Sequence, residues 1–259
     1  MPYPKKSLGQ NFLRDNNIAK KIVESFHLNS NDIVIEIGPG KGILTQFLLE
    51  KTHNLTVIEI DNFLVAELHK KFENNITIIH NDILSVDIQT LTYQQEKFRV
   101  IGNIPYNITS PILFHLLDSR STIKNALLMM QTEVAERLTA KPRTKAYGIL
   151  SVFFQYYATS TMILDVSPSS FFPVPSVNST VILLDFEKPF PEIVKDDVLF
   201  RKVVRGTFNQ RRKMLRNSLS HLGFSSTILE QLNCNLTQRP EELSVQEFIH
   251  LTNQLSNIL

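Results

Sequence analysis

The chain has 259 residues, 42% of them hydrophobic and 20% charged, with a formal net charge of +2, which describes a globular protein able to bury one large core and a smaller one. Its one cysteine, Cys234, excludes an intramolecular disulfide and suits a reducing compartment, and no apolar run approaches the roughly 20 residues needed to cross a bilayer. Met1 to Lys6 lack the apolar stretch of a secretory signal, so the expected location is the cytoplasm, with no membrane partner. In chain order, apolar runs predict strands at 33–37, 55–60, 76–80, 98–102, 125–130, 161–166 and 179–186, and amphipathic stretches predict helices at 16–26, 43–51, 62–73, 109–118, 132–140 and 146–158. Strands separated by helices predict an α/β fold: a seven-stranded, mostly parallel, doubly wound sheet, which binds ligands beyond the carboxyl ends of its strands. After Phe186 the pattern changes; Lys188-Pro189-Phe190-Pro191 reads as a linker, and the remainder of the chain is helical and strand-poor. The expected organisation is one domain over residues 1–188 and a small α-helical domain over 189–259.

Three predicted strand ends carry chemistry. Directly after Ile33 to Ile35 comes Glu36-Ile37-Gly38-Pro39-Gly40-Lys41-Gly42. A dinucleotide fingerprint, G-x-G-x-x-G, would place a glycine three positions after Gly40, where Ile43 stands, and the third glycine comes early at Gly42. The E-x-G-x-G-x-G form is similar instead to the S-adenosylmethionine loop of class I, Rossmann-like methyltransferases, with Gly38 and Gly40 against the cofactor. About 20 positions on, Glu59 ends the next strand, where this topology offers a carboxylate to ribose hydroxyls. Asp82, after the third strand, can accept a hydrogen bond from an adenine amine. Either carboxylate alone is an ordinary strand-end charge; the three signals in succession are not.

The fourth strand leads into Asn103-Ile104-Pro105-Tyr106. An exocyclic base amine is a poor nucleophile while its lone pair is delocalised, so methylating it requires acceptors for its N–H groups and a fixed ring. Asn103 can accept and Tyr106 can stack, while Pro105 holds φ near −65° so that side chain and backbone carbonyls of Ile104 and Pro105 converge. A stiff loop, Phe171-Phe172-Pro173-Val174-Pro175-Ser176-Val177, offers a second aromatic. Phe171 is expected to face Tyr106 across a flipped base, each stacking contact contributing about 1–3 kcal/mol, and Phe172 to fill space.

Basic residues cluster at Lys5, Lys6, Arg14, Lys20 and Lys21, at Arg137 to Lys145, and most densely from Arg201 to Arg216, a run without an acid. On a single helix, Val204, Phe208, Leu215, Leu219 and Leu222 would share an apolar face beside a strip of Arg201, Arg205, Arg212 and Arg216. That strip suits nucleic-acid phosphates, with Arg211 and Lys213 beside it, and Gly206 leaves the start of the helix open. The seven histidines form no H-x-x-x-H pair, and there is no G-x-x-x-x-G-K-[ST] loop, so neither a metal site nor a P-loop is expected.

Together, Lys6-Ser7-Leu8-Gly9-Gln10-Asn11-Phe12-Leu13, the Glu36 to Gly42 loop, Asn103 to Tyr106, the F-x-P-x-P-x-V run at Phe171 to Val177, and Phe208-Asn209-Gln210-Arg211-Arg212-Lys213 resemble the ribosomal RNA adenine dimethyltransferase family, in its bacterial small-subunit branch. The resemblance implies that Asn11 and Leu13 close over S-adenosylmethionine, that Gly38, Glu59 and Asp82 bind it, and that Asn103 serves both cofactor and target amine. It implies two adjacent adenosines near the 3′ end of small-subunit ribosomal RNA as the substrate, each dimethylated at N6 within an assembling subunit, by an enzyme expected to be monomeric. The alternatives are a large-subunit ribosomal RNA adenine dimethyltransferase conferring antibiotic resistance, an N6-adenine DNA methyltransferase, and a non-catalytic ribosome-assembly or binding factor.

Overall fold

The computed structural model describes residues 9–91 and 96–259, so Lys5 and the first three residues of the N-terminal motif, Lys6 to Leu8, lie outside the described residues. By compactness the chain divides into two units, Met1–Ala135 with Ser160–Glu187, and Glu136–Thr159 with Lys188–Leu259.

All seven predicted strands form, and two short ones join them. They are β1 (Phe12–Leu13), β2 (Ile33–Ile37), β3 (Asn54–Glu59), β4 (Thr77–His80), β5 (Phe98–Asn103), β6 (Ile123–Gln131), β7 (Thr159–Val166), β8 (Phe171–Phe172) and β9 (Ser179–Asp185). The main sheet runs β4-β3-β2-β5-β6-β9-β7. Its pairs β3/β4, β2/β3, β2/β5 and β5/β6 are parallel, and β9 lies antiparallel to β6. Near-continuous apolar stretches such as Ile33–Ile37 suit parallel strands covered on both faces. The first unit's helices include α1 (Asn16–Ser25), α2 (Thr45–Leu48), α3 (Asn62–Phe72) and α4 (Thr109–Asp118). Asp15 caps α1 by accepting from the N–H groups of Asn17 and Ile18, and Asp61 caps α3 by accepting from that of Phe63. Ala19, Ile22 and Val23 of α1 pack into one core with Leu48, Leu55, Val57, Leu127 and Phe171.

From β2 the chain winds outward through β3 and β4, then returns to lay β5 on the other side of β2. That reversal opens a crevice at the carboxyl ends of β2 and β5. The two strands approach closely there: a Cβ on Gly102 would stand 2.6 Å from the carbonyl oxygen of Ile37, its partner in the register.

The helix α5 (Thr132–Thr139) runs from the first unit into the second, which contains α6 (Ile149–Tyr157), α7 (Asp197–Asn209), α8 (Leu215–His221), α9 (Ser226–Glu230) and α10 (Val245–Ile258). Two sequence expectations are corrected here. The second unit starts its final run at Lys188 but also takes Glu136–Thr159, because Phe153, Tyr156 and Tyr157 of α6 stack on Phe200 of α7 with ring centroids 4.6–6.2 Å apart. The basic run is not one helix: α7 ends at Asn209, the chain turns at Gln210 (φ −116°, ψ 40°), and α8 begins at Leu215. Gly206 does not mark a helix start; it lies inside α7, where a Cβ would collide with Leu222 at 2.3 Å.

Candidate active site

The loop after β2 turns through Gly38, Gly40 and Gly42, with φ of 62°, 58° and 74°, values that a residue with a Cβ adopts only under strain. The turn is fixed by the Gly38 N–H on the Ile58 carbonyl at 2.9 Å and by the Gly40 N–H on Glu59 Oε2 at 3.2 Å. From the far side, Lys71 Nζ donates to the Lys41 carbonyl at 3.2 Å. Glu59 closes β3 with a second hydrogen bond, accepting from the Asp61 N–H at 3.0 Å. With the Ile60 backbone N–H also turned toward it, the carboxylate keeps part of its acceptor capacity for ligand hydroxyls.

Behind the loop lies a group whose role the sequence motif does not reveal. Glu36 is 1% exposed and accepts from Thr45 Oγ1 at 2.6 Å. Burial pushes its carboxyl up to about 8, against the Thr45 hydrogen bond and with help from the repulsion of Glu59. Burial raises Glu59 as well, opposed by the backbone N–H groups of Asp61 and Gly40. The signal for Glu36 was present in the sequence as the single acid in an apolar strand.

Across the crevice, β5 delivers Asn103. Its Nδ2 donates to the Asn11 carbonyl at 2.8 Å, which leaves Oδ1 as an acceptor. The Ile104 N–H donates to the Met129 carbonyl at 3.1 Å, and the Pro105 carbonyl already accepts from Thr109 Oγ1 at 3.0 Å and from the Ile108 N–H at 3.3 Å. Tyr106 is held by its hydroxyl, 2.7 Å from Ser179 Oγ, and burial raises its pKa. The segment Gly9 to Leu13 forms the remaining wall: Gln10 Nε2 donates to Asp61 at 3.2 Å, and β1 pairs with β8 so that Phe12 stands opposite Phe172 and Leu13 opposite Phe171.

One cavity of about 720 Å3, part of it open to solvent, joins these pieces, and Asn11, Leu13, Gly38, Gly40, Glu59, Asn103, Ile104, Pro105 and Tyr106 all line it. Asp82 and Phe171 do not line it. Asp82 sits at the end of β4 and spends an oxygen on the Leu84 N–H at 3.0 Å. Phe171 is 1% exposed, its ring in the core, whereas Phe172 is 44% exposed with the Arg14 guanidinium 5.7 Å from its ring centre. Phe171 is therefore the ring that fills space and Phe172 the exposed one, opposite to the expected burial, because the β1–β8 register turns Phe171 inward.

The basic residues of the second unit separate into two groups. Arg201 is bound to Asp197 and the Tyr157 hydroxyl, each at 3.1 Å, and Arg211 to Glu241 and the carbonyls of Lys145 and Thr144. Arg205, Arg212, Lys213 and Arg216 are exposed. No group of three or more His, Cys, Asp or Glu among the described residues could hold a metal ion.

A parallel sheet with its order reversed at β2/β5, a glycine-turned loop after the first central strand, and an acid ending the next define a class I, Rossmann-like methyltransferase. A crystal structure of a dimethyladenosine transferase from Plasmodium falciparum has the same fold, with a TM-score of 0.76 at 25% identity over 93% of this chain and 95% of that one. A structure of the 23S rRNA methyltransferase ErmE gives 0.67 at 25% identity, over 95% and 99%. Within that class the chain belongs to the ribosomal RNA adenine dimethylase family, whose model matches residues 3–257. It is 42% identical over 255 residues to the ribosomal RNA small subunit methyltransferase A of Shewanella sp. (strain W3-18-1), covering 97% of this chain and 94% of that protein.

Proposed function

We propose that this protein is an S-adenosylmethionine-dependent enzyme that dimethylates N6 of two adjacent adenosines near the 3′ end of small-subunit ribosomal RNA, on an assembling subunit. The observation that carries the reading is Asn103, fixed through Nδ2 so that Oδ1 stands as an acceptor on the wall of a cavity floored by the glycine loop. The cavity fits the cofactor: Glu59 has acceptor sites for ribose hydroxyls, and a side chain at Gly40 would press on Phe12 at 3.0 Å. When bound, S-adenosylmethionine supplies the methyl group and the leaving group in one.

The chain supplies orientation. Asn103 Oδ1 accepts one N–H of the adenine amine, and the Ile104 carbonyl accepts the other, since that of Pro105 is already engaged. These bonds draw the nitrogen lone pair out of conjugation, and Tyr106, held by Ser179, sets the plane of the ring. The nitrogen becomes acidic once methylated and loses its proton to solvent, so no strong base is required. With one N–H gone after the first transfer, rotation about C6–N6 presents the lone pair again.

The name of the Shewanella relative supports the small subunit over the large one, a distinction the fold cannot make because it is shared with a 23S rRNA methyltransferase. We place the activity in the cytoplasm, where that RNA is assembled, and assign Arg205, Arg212, Lys213 and Arg216 to phosphate contacts because, with Lys202, they are the exposed basic residues of the run. The test is transfer of labelled methyl to unmethylated small subunits, large-subunit RNA and duplex DNA, with nucleoside mass analysis. Dimethyladenosine arising only with small subunits is expected, and label in large-subunit RNA would overturn the substrate. Asn103→Ala should lower transfer by roughly 10²-fold or more with the fold intact, and near-normal incorporation by a folded variant would refute the assignment.

A further inference from the structure

Next to the cofactor cavity lies a second hollow, of about 690 Å3 with part of it open to solvent, lined by Gln131, Thr132, Glu133, Ser176, Val177 and Asn178. The two spaces share a structural joint. Tyr106, on the wall of the cavity, is anchored to Ser179, and Ser179 stands opposite Gln131 in the β6–β9 register.

The walls of the hollow are fixed. The Thr132 N–H donates to the Asn178 carbonyl at 3.0 Å, Thr132 Oγ1 lies 3.0 Å from Thr180 Oγ1, and Thr180 Oγ1 donates to Asp165 at 2.8 Å. Two groups on these walls are unspent. The carboxamides of Gln131 and Asn178 make no hydrogen bond within the described residues, and Gln131 is half-buried at the end of β6, whose backbone is tied to β9, so its amide is available to a ligand in the hollow. A carboxamide offers one acceptor beside a donor, which matches the N6 amine and N7 of adenine but not the two acceptors, O6 and N7, of guanine. Val177, 41% exposed, adds an apolar face for the ring.

We propose that this hollow holds the base of the neighbouring adenosine while its partner is methylated, with Gln131 as the residue that reads adenine there and Asn178 assisting. The proposal rests on the reading of the substrate as an adenosine pair. It makes the hollow a specificity subsite of the same reaction and explains why the pair, rather than a lone adenosine, is the unit recognised.

The experiment compares unmethylated small subunits carrying the native pair with subunits in which one adenosine is replaced by guanosine, reading methyl transfer to the remaining adenosine. For the wild-type enzyme kcat/KM should fall about ten-fold with guanosine, the size of one lost bidentate base contact. Gln131→Leu should lose about ten-fold on the native pair and almost nothing further with guanosine. Its affinity for S-adenosylmethionine, read by titration calorimetry, should not change, because Gln131 does not line the cofactor cavity. Asn178→Ala, at an exposed position, should reduce the preference several-fold and keeps the test in hand should Gln131→Leu fail to fold. Indifference of the wild type to guanosine, or the full preference retained by both variants, would overturn the subsite. Failure of the wild type to methylate native small subunits would instead overturn the reading of its function.

Discussion

A carboxyl group as deeply buried as that of Glu36 keeps its proton at neutral pH, and that has a measurable sign. With its value raised from 4.5 to about 8, the folded protein holds a proton that the unfolded chain releases anywhere between those limits. Stability therefore falls as pH rises through that window and levels off above about 8. Glu36→Gln keeps the acceptor for Thr45 and removes the titration. Calorimetry of the cofactor-free protein should show a Tm that declines from pH 4.5 to about 8 in the wild type and a flatter profile in the variant; an unchanged slope would count against it. Phe171 and Phe172 mark what the sequence could not say at this scale. Adjacent strand residues point to opposite faces, so one ring had to be buried and the other exposed, but a two-residue strand has no alternation from which to read the order.

At the scale of elements, the sheet was legible because its strands are apolar runs set apart by helical periodicity, and Glu36 to Gly42 and Asn103 to Tyr106 follow such runs directly, which puts them at strand ends. The elements that escaped have no pattern to read. The β1–β8 ladder is too short to show one, and the turn between α7 and α8 runs through Gln210 to Met214 with no Pro or Gly to announce it. The close approach of β2 and β5 gives the prediction here. Gly102→Ala should cost about 1–3 kcal/mol in denaturant unfolding and weaken S-adenosylmethionine binding, because the added carbon meets the rigid Ile37 carbonyl just where Gly38 and Asn103 face each other. Gly148→Ala, where a Cβ meets nothing within 4 Å, is the control and should leave cofactor binding unchanged.

For the whole molecule, charge distribution outweighs the small net charge. Arg212→Ala and Arg216→Ala should each weaken binding to small subunits and lower the salt slope of binding by roughly one, with thermal stability nearly unchanged, since both are exposed. Arg211→Ala should act the other way round. Losing its links to Glu241 and to the Lys145 and Thr144 carbonyls lowers the Tm, with less effect on the salt slope. The sequence showed the basic run but not this division, which depends on acids and carbonyls far along the chain.

The interleaving of the two units sets a schedule for synthesis. The chain passes from one unit to the other at three places, after Ala135, Thr159 and Glu187, so the second unit is never delivered in one piece. Phe153, Tyr156 and Tyr157 are made well before Phe200, on which they stack. At roughly 5–20 residues per second, those rings spend a few seconds outside the ribosome without their partner. Neither half of a protein cut at the Lys188 linker would carry that aromatic cluster whole, so the boundary suggested by the sequence is the wrong place to divide the gene.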